Sequence, residues 1–419
     1  MEHDTQNNVC VIPDVEPWIS GRQLANVLTQ AGYETYAAGG CVRDLILSRV
    51  IQDIDLATAA HPEQVEKICA QHGWQTVAVG KSFGVIIVVM PTGINIEVAT
   101  FRSDGAYIDG RRPQDVTFTG TAKDDVERRD FTINALLINI VNGQILDFVG
   151  GYTDIKKGII TAVGDPMARL NEDRLRVLRA LRFAARLSFN MTEATWAAVC
   201  SIKLAGVSRE RVVQEWKKAM AGPGRGTWFE LVQRSGHLCD VCAPVATYDE
   251  SARQSLRVRL DQLMVVDEES LILALWLLDS DQASAVAWMD SMPLSSAWKR
   301  STTWLLMHGR HPERLRALPI AERRRCWRHA DGQLLARFLT LQSGAAVADL
   351  VAECAKEPGK PLIPLLRADD LMGLGIRPGP DLGALLRRIE DGQLAGTLCD
   401  VTDATQLVDN WLREKTKES

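Results

Sequence analysis

No stretch of this chain is apolar for long enough to cross a bilayer, and its opening residues, MEHDTQNNV, lack the basic-then-apolar order of a secretion signal. A membrane protein or a secreted one is therefore not expected. The nine cysteines fall at irregular spacing and form no disulfide framework, which points to a reducing cytoplasm. One pair, Cys239 and Cys242 with His237 nearby, has zinc-like spacing, but no second pair matches it, so no zinc site is expected. Neither a repeat period nor a low-complexity tract is visible. Basic charge is not in excess: 48 Lys and Arg against 53 Asp and Glu leave a net charge of −5. That argues against a generally basic nucleic-acid binder, though not against a local positive groove. What remains is an ordinary globular composition, 46% hydrophobic and 24% charged, over 419 residues. That length suits about two to four domains.

Residues 1–20 read as a lead-in broken by Pro13 and Pro17. An amphipathic helix opens at Ile19 and ends near Gly32. Strand-like runs follow at 34–38, 53–57, 85–90 and 93–100, with a helix at 61–72 carrying Val65, Ile68 and Cys69 on its apolar face. This mixture predicts an α/β or α+β head of about 140 residues. After about residue 165 the β-branched runs vanish. Helical patterns take over at 171–189, 270–278, 297–308 and 323–341, punctuated by Gly or Pro, so the C-terminal half is predicted to be all-helical.

The chemistry concentrates in four places. Gly39-Gly40-Cys41-Val42-Arg43-Asp44 lets backbone N–H groups approach a phosphate closely and offers Arg43 as a planar clamp. Asp53-Ile54-Asp55 on a strand would point both carboxylates to one face, with Glu97 in a neighbouring strand completing the set. An isolated Asp-x-Asp is often only a solvated strand end. Beside a phosphate-binding turn it calls instead for a hard cation, and Mg²⁺ is the one that accompanies nucleoside triphosphates. Arg128-Arg129-Asp130-Phe131-Thr132-Ile133-Asn134 is the second element. Arg129 can balance triphosphate charge, Asp130 can orient an arginine, and Asn134 marks a buried polar spot. Third is Glu172 to Phe183, read as one helix on which Asp173, Arg176, Arg179 and Arg182 form a stripe. An Asp and an Arg together can read a base as a partner strand would. A salt-bridged surface helix is the plainer alternative. The fourth element, Ser208 to Trp216, reads as mainly structural, with Ser208 as N-cap and Glu210 and Arg211 tying the helix to the preceding one.

Taken in this order, these elements resemble the class II tRNA nucleotidyltransferase and bacterial poly(A) polymerase family, over about residues 34–220. The motifs that carry the resemblance are G-G-x-V-R-D with D-x-D at 39–55, R-R-D-F-T-x-N-A at 128–135, G-G-x-x-D-I at 150–155 and E-D-x-x-R-x-x-R-A-x-R-F at 172–183. The resemblance implies an α+β protein, with a polymerase β-like head of mixed sheet followed by helical neck, body and tail. The expected boundaries are 1–148, 149–220, 221–345 and 346–419. It implies that Asp53 and Asp55 bind Mg²⁺ with Glu97 assisting. Gly39, Gly40, Arg43 and Arg129 would face the triphosphate, near Asp130 and Asn134. Asp173 and Arg176 would select the base, with Arg179 and Arg182 in support. The implied partners are the tRNA 3′ end, ATP and CTP, with no membrane and no stable protein partner.

Members that incorporate the terminal A carry a flexible loop between the acidic and R-R-D motifs. The Gly-punctuated segment 103–113 looks like it, so both CCA addition and addition of A alone fit. A poly(A) polymerase acting on general RNA is the rival. Some such enzymes bear a strongly basic C-terminal arm, whereas residues 410–419 here are mixed in sign, which favours tRNA. A retired RNA-binding scaffold should have lost a metal carboxylate or a phosphate arginine, and none is lost. Nucleotidyl transfer to a small molecule would leave the arginine stripe and the long helical half unexplained. Two basic clusters, seven arginines with Trp327 in 310–328 and three more in 377–388, are candidate RNA contacts.

Overall fold

The computed structural model describes residues 8–80, 83–104, 116–118, 120–264, 268–342, 345–357 and 362–418. Contacts divide the chain into two compact units, Met1–Val241 and Cys242–Ser419.

The first unit is built on a seven-stranded mixed sheet. Its strands are β1 (Thr35–Ala38), β2 (Asp55–Thr58), β3 (Gln75–Gly80), β4 (Val85–Val89), β5 (Asn95–Thr100), β8 (Leu136–Ile138) and β9 (Ile145–Asp147). They lie in the order β3-β4-β5-β2-β1-β8-β9. Only β2 and β5 run parallel, and their register sets Asp55 beside Glu97. A separate hairpin pairs β6 (Arg102–Asp104) with β7 (Val116–Phe118).

Helix α1 (Trp18–Gln30) buries Trp18, Leu24, Ala25 and Leu28 at helical spacing against β1 and β2. Helix α3 (Pro62–Gln71) starts with Pro62 in its first turn. Gln64 Oε1 accepts the His61 N–H at 2.7 Å, and Val65, Ile68 and Cys69 face inward. Between them, α2 (Gly40–Ile46) follows β1 directly. The sequence pattern marks neither α2 nor the edge strand β3. In β3 both faces are largely exposed, so no clean hydrophobic alternation marks it.

After α4 (Ala122–Glu127) and α5 (Gly151–Lys157) the unit turns helical. Asp147 caps α5 by accepting backbone N–H groups from Val149, Gly150, Gly151 and Tyr152. A Cβ on Gly151 would stand 2.1 Å from the Thr132 carbonyl oxygen, so only glycine admits this approach. Thr132 also donates to Asp154 at 2.6 Å, tying the G-G-x-x-D-I motif to R-R-D-F-T-I-N.

The helix read as continuous over 171–189 is in fact two, α6 (Pro166–Glu172) and α7 (Leu175–Leu187). Asp173 leaves helical geometry at φ −140° and ψ 100°, and its carboxylate accepts the Leu175 N–H at 3.1 Å. A short acidic side chain that bonds locally to the backbone competes with the helix ladder and breaks it here. Asp173 therefore lies at a junction rather than on the helical stripe. Two further helices, α8 (Glu193–Ser201) and α9 (Arg209–Met220), follow, and α9 packs on α7. Ser208 occupies the N-cap position of α9, but its side chain makes no capping bond.

Among its described residues, the second unit is helical throughout. The helical pattern at 323–341 is divided into Ile320–Arg328 and Gly332–Thr340. A Cβ on Gly332 would come within 2.3 Å of the Trp327 carbonyl oxygen, so the chain turns tightly there. Leu366, Leu371, Ile376, Leu385, Ile389, Ala404 and Val408 form a separate core near its C-terminal end. No described helix is long and apolar enough to cross a membrane.

Candidate active site

A cleft of about 620 Å³ in the first unit collects residues from β1, α2, β2, β5, α7 and α9. Gly39, Gly40, Arg43, Asp55, Glu97, Arg129, Asp130, Asn134, Asp173, Arg176 and Arg179 all line it. Asp53 and Arg182, from the same sequence reading, do not. Asp53 lies exposed just before β2, two residues from Asp55 and on the same side of the chain, since Ile54 between them is buried.

Gly39 sits at φ +75°, where a side chain is strained. A Cβ there would also lie 3.0 Å from Arg129 Nη1. Arg43 is buried and held by Asp44, through Nε at 3.0 Å and Nη2 at 2.9 Å, and by Asn134 Oδ1 at 2.5 Å. Three of its five N–H donors are thus engaged in fixing it. Asn134 in turn donates to Asp130 Oδ1 at 3.2 Å.

The arginine stripe meets carboxylates of the protein itself. Arg176 donates to Glu172 at 2.6 Å and to the Arg169 carbonyl at 2.8 Å. Arg179 grips Asp130 through Nε at 2.8 Å and Nη2 at 2.6 Å. Arg182 is paired with buried Glu215 at 2.7 Å. Asp173 takes a bidentate pair from Arg211 of α9, at 3.0 and 2.7 Å. The helix is accordingly buried on its arginine face as well as its leucine face. The guanidiniums are locked in place before any ligand arrives, which is the preorganisation an electrostatic site needs.

This chain matches the Poly A polymerase head domain over residues 35–161. A CCA-adding enzyme of Lactobacillus delbrueckii subsp. bulgaricus is 33% identical over 393 residues, covering 88% of this chain and 91% of that protein. One from Anoxybacillus flavithermus is 44% identical over 202 residues, 48% of this chain and 49% of the other. The chain belongs to the family of CCA-adding enzymes. Among solved structures, the Bacillus stearothermophilus CCA-adding enzyme in complex with CTP superposes with a TM-score of 0.76 at 25% identity, over 96% of this chain and all of that one. The Thermotoga maritima CCA-adding enzyme complexed with tRNA shares the fold, with a TM-score of 0.68 at 21% identity over 95% and 96% of the two chains.

For a CCA-adding family member, several site residues were not legible as such in the sequence. Asp125 of α4 is completely buried and accepts from Arg128 at 3.0 and 2.6 Å and from Arg129 at 2.9 and 3.3 Å. Burial alone would raise its pKa, but Arg129 and Arg128 outweigh that and hold it below the usual carboxylate range. Its spacing of three and four residues from the two arginines was the available signal. Burial likewise pushes Asp130 up, and Arg179, Asn134 and Arg176 bring it below its ordinary value. Arg211, expected to tie α9 to the helix before it, pairs with Asp173 at the junction of α6 and α7, and Glu215 reaches Arg182; each partner is more than thirty residues away along the chain.

Asp55 behaves in the opposite way. The surrounding protein and the neighbouring charges of Glu97 and Asp53 push its pKa up to about 6, with Arg129 opposing. Three carboxylates gathered in this way are an all-oxygen donor set suited to a hard divalent cation, and a divalent metal belongs to the chemistry of this family. Among the described residues no three acidic, His or Cys side chains converge into a ready-made ligand cage.

The segment 103–113 lies outside the described residues from 105 onward. His237 Nε2–H donates to the Val199 carbonyl at 2.8 Å, as a satisfied buried histidine beside the Cys239–Cys242 pair. In the arginine cluster at 310–328, Arg316 pairs with Asp349, Arg323 with Glu353, Arg324 and Arg328 with Glu357, and Arg325 with Glu390 and Asp391. Trp327 is fully buried. That cluster binds helices of its own unit to one another.

Proposed function

We propose that this protein adds nucleotides to the 3′ end of tRNA from CTP and ATP without a nucleic-acid template, completes the CCA end, and releases pyrophosphate. The observation that carries the reading is the cleft, which gathers Asp55 and Glu97, the anchored Arg43 and Arg129, and the pair Asp173 and Arg176 in one space of nucleotide size.

In this reading Arg43 and Arg129 receive the triphosphate, next to the Gly39-Gly40 turn where no Cβ obstructs approach. Asp173 and Arg176 offer an acceptor and donors to the Watson–Crick edge of the incoming base, so that side chains stand in for a template. Arg179 and Arg182 keep that helix face in register through Asp130 and Glu215. Asp53 and Asp55, with Glu97 beside them, would hold Mg²⁺, whose chemistry is to acidify the RNA 3′-hydroxyl and to polarise the α-phosphate. The paired arginines stabilise the charge that develops on the leaving pyrophosphate.

All nine cysteines are unpaired, which supports a cytoplasmic setting. We also retain the division into head, neck, body and tail at 148, 220 and 345 as part of the proposal. Asp55→Ala tests the metal assignment: turnover on tRNA should fall by at least about 10³-fold while tRNA binding in a filter assay stays within a few-fold. An active Asp55→Ala protein would remove the basis of the assignment.

A further inference from the structure

Three guanidinium groups surround one aromatic ring in the first unit. Phe183, buried on α7, has the Arg182 guanidinium carbon 4.4 Å from its ring centroid, that of Arg43 at 5.2 Å and that of Arg179 at 5.4 Å. Phe131 of the R-R-D-F segment meets the same ring edge-on at 5.9 Å. None of the roles assigned above uses Phe183. Yet its ring touches the arginine that α2 contributes for phosphate and two arginines of the helix that reads the base.

Arg43 and Arg179 are joined a second time by hydrogen bonds. Arg43 donates to Asn134 Oδ1, Asn134 donates to Asp130 Oδ1, and Arg179 donates to Asp130 Oδ2. The circuit closes through the π face of Phe183. Three like charges so near one another repel, and two things hold them together. Asp44, Asp130 and Glu215 each neutralise one guanidinium, and the negative face of the ring attracts all three. An aliphatic side chain would fill the same space without that attraction.

We propose that Phe183 is a positioning residue that couples phosphate binding to base selection. The ring fixes Arg43 relative to Arg179, so a nucleotide whose base is mismatched on the α7 side cannot place its triphosphate correctly against Arg43. This inference rests on the nucleotide-addition reading above and names the residue that makes its two half-sites act as one.

The test is the full-length protein with Phe183 replaced by 4-fluoro-, 3,5-difluoro- and 3,4,5-trifluorophenylalanine. These drain the π face stepwise with little change of shape. Single-nucleotide extension of tRNA would give kcat and KM for CTP and ATP, the ratio of CTP to UTP incorporation, and the thermal midpoint in parallel. The expected result is a stepwise fall in kcat/KM of about tenfold by the trifluoro variant, with the CTP-to-UTP ratio falling in step and the midpoint steady. Phe183→Tyr should keep most of the activity and Phe183→Leu should lose more than any fluorinated form. Activity and selectivity that stay flat across the fluorinated series would overturn the inference, as would losses that follow the thermal midpoint alone. A wild-type protein that extends tRNA while the series is flat refutes this coupling only. A wild-type protein that never extends tRNA refutes the reading beneath it.

Discussion

Asp55 is under two opposing demands, and the balance is measurable without any substrate. Its carboxyl is shielded from water and crowded by Glu97 and Asp53, with Arg129 opposing, and its pKa is pushed up to about 6. In the unfolded chain it would titrate near 4. The folded, metal-free protein therefore holds this proton more tightly than the unfolded chain does, and the group's contribution to stability declines as pH rises from about 4 through about 6. Asp55→Asn removes the charge and keeps the shape. Its thermal midpoint in chelator at pH 7.5 should exceed that of wild type, while turnover is abolished. A midpoint that drops would show that Asp55 is a stabilising carboxylate and not a repelled one. Asp125 makes the contrary case, because its buried charge is matched by two guanidiniums. Asp125→Ala would leave Arg128 and Arg129 facing an empty acceptor position. Denaturant titration should record a loss on the order of 3–5 kcal/mol. A loss below about 1 kcal/mol would mean that solvent reaches the pair.

Among the elements, the strands β4 and β5 were legible because β-branched residues recur along them and every second position is buried. The strand β3 was not, since its valines Val77 and Val79 face solvent. Helix α7 was legible from its leucines, whereas its break from α6 was hidden in one side chain: Asp173 bonds to the Leu175 N–H and to Arg211 instead of continuing the helix. The candidate site was legible where its residues are neighbours in sequence, as in Gly39 to Arg43 and Arg128 to Asn134. Where α9 enters, the sequence marks Arg211 as a tie to a neighbouring helix, but its partner Asp173 and the pairing of Glu215 with Arg182 lie 38 and 33 residues away and were not legible. From the sequence α9 is mainly structural; in the fold its Arg211 holds Asp173 at the junction of α6 and α7. Arg211→Ala should consequently blur the choice between CTP and UTP, by about tenfold in misincorporation, more than it slows correct addition. Unchanged selectivity would restrict α9 to a packing role.

At the scale of the whole molecule, the chain is two compact units with separate cores. Unfolding should then depart from a single two-state transition. Differential scanning calorimetry is expected to return a calorimetric enthalpy larger than the van't Hoff value. Equal enthalpies would mean that the two units melt as one. The division also bears on where RNA is held. Ion pairs within the second unit occupy much of the arginine cluster at 310–328, so the cluster's count in the sequence overstated its availability to phosphate. The helical character of the second half was legible in the sequence pattern, but not which charges the helices would use on one another.

The central claim is that the product ends in CCA and is built on tRNA. The measurement that tests it incubates the purified protein and Mg²⁺ with three tRNA transcripts, ending at the discriminator base, at C and at CC. Each receives CTP, ATP or both, and products are sized on a sequencing gel beside an unrelated RNA. The account predicts that with both nucleotides all three transcripts converge on one CCA end and the unrelated RNA stays unextended. A long ladder of A on every RNA, or A added only to the CC-ended transcript with no C added to the shorter ones, would contradict it.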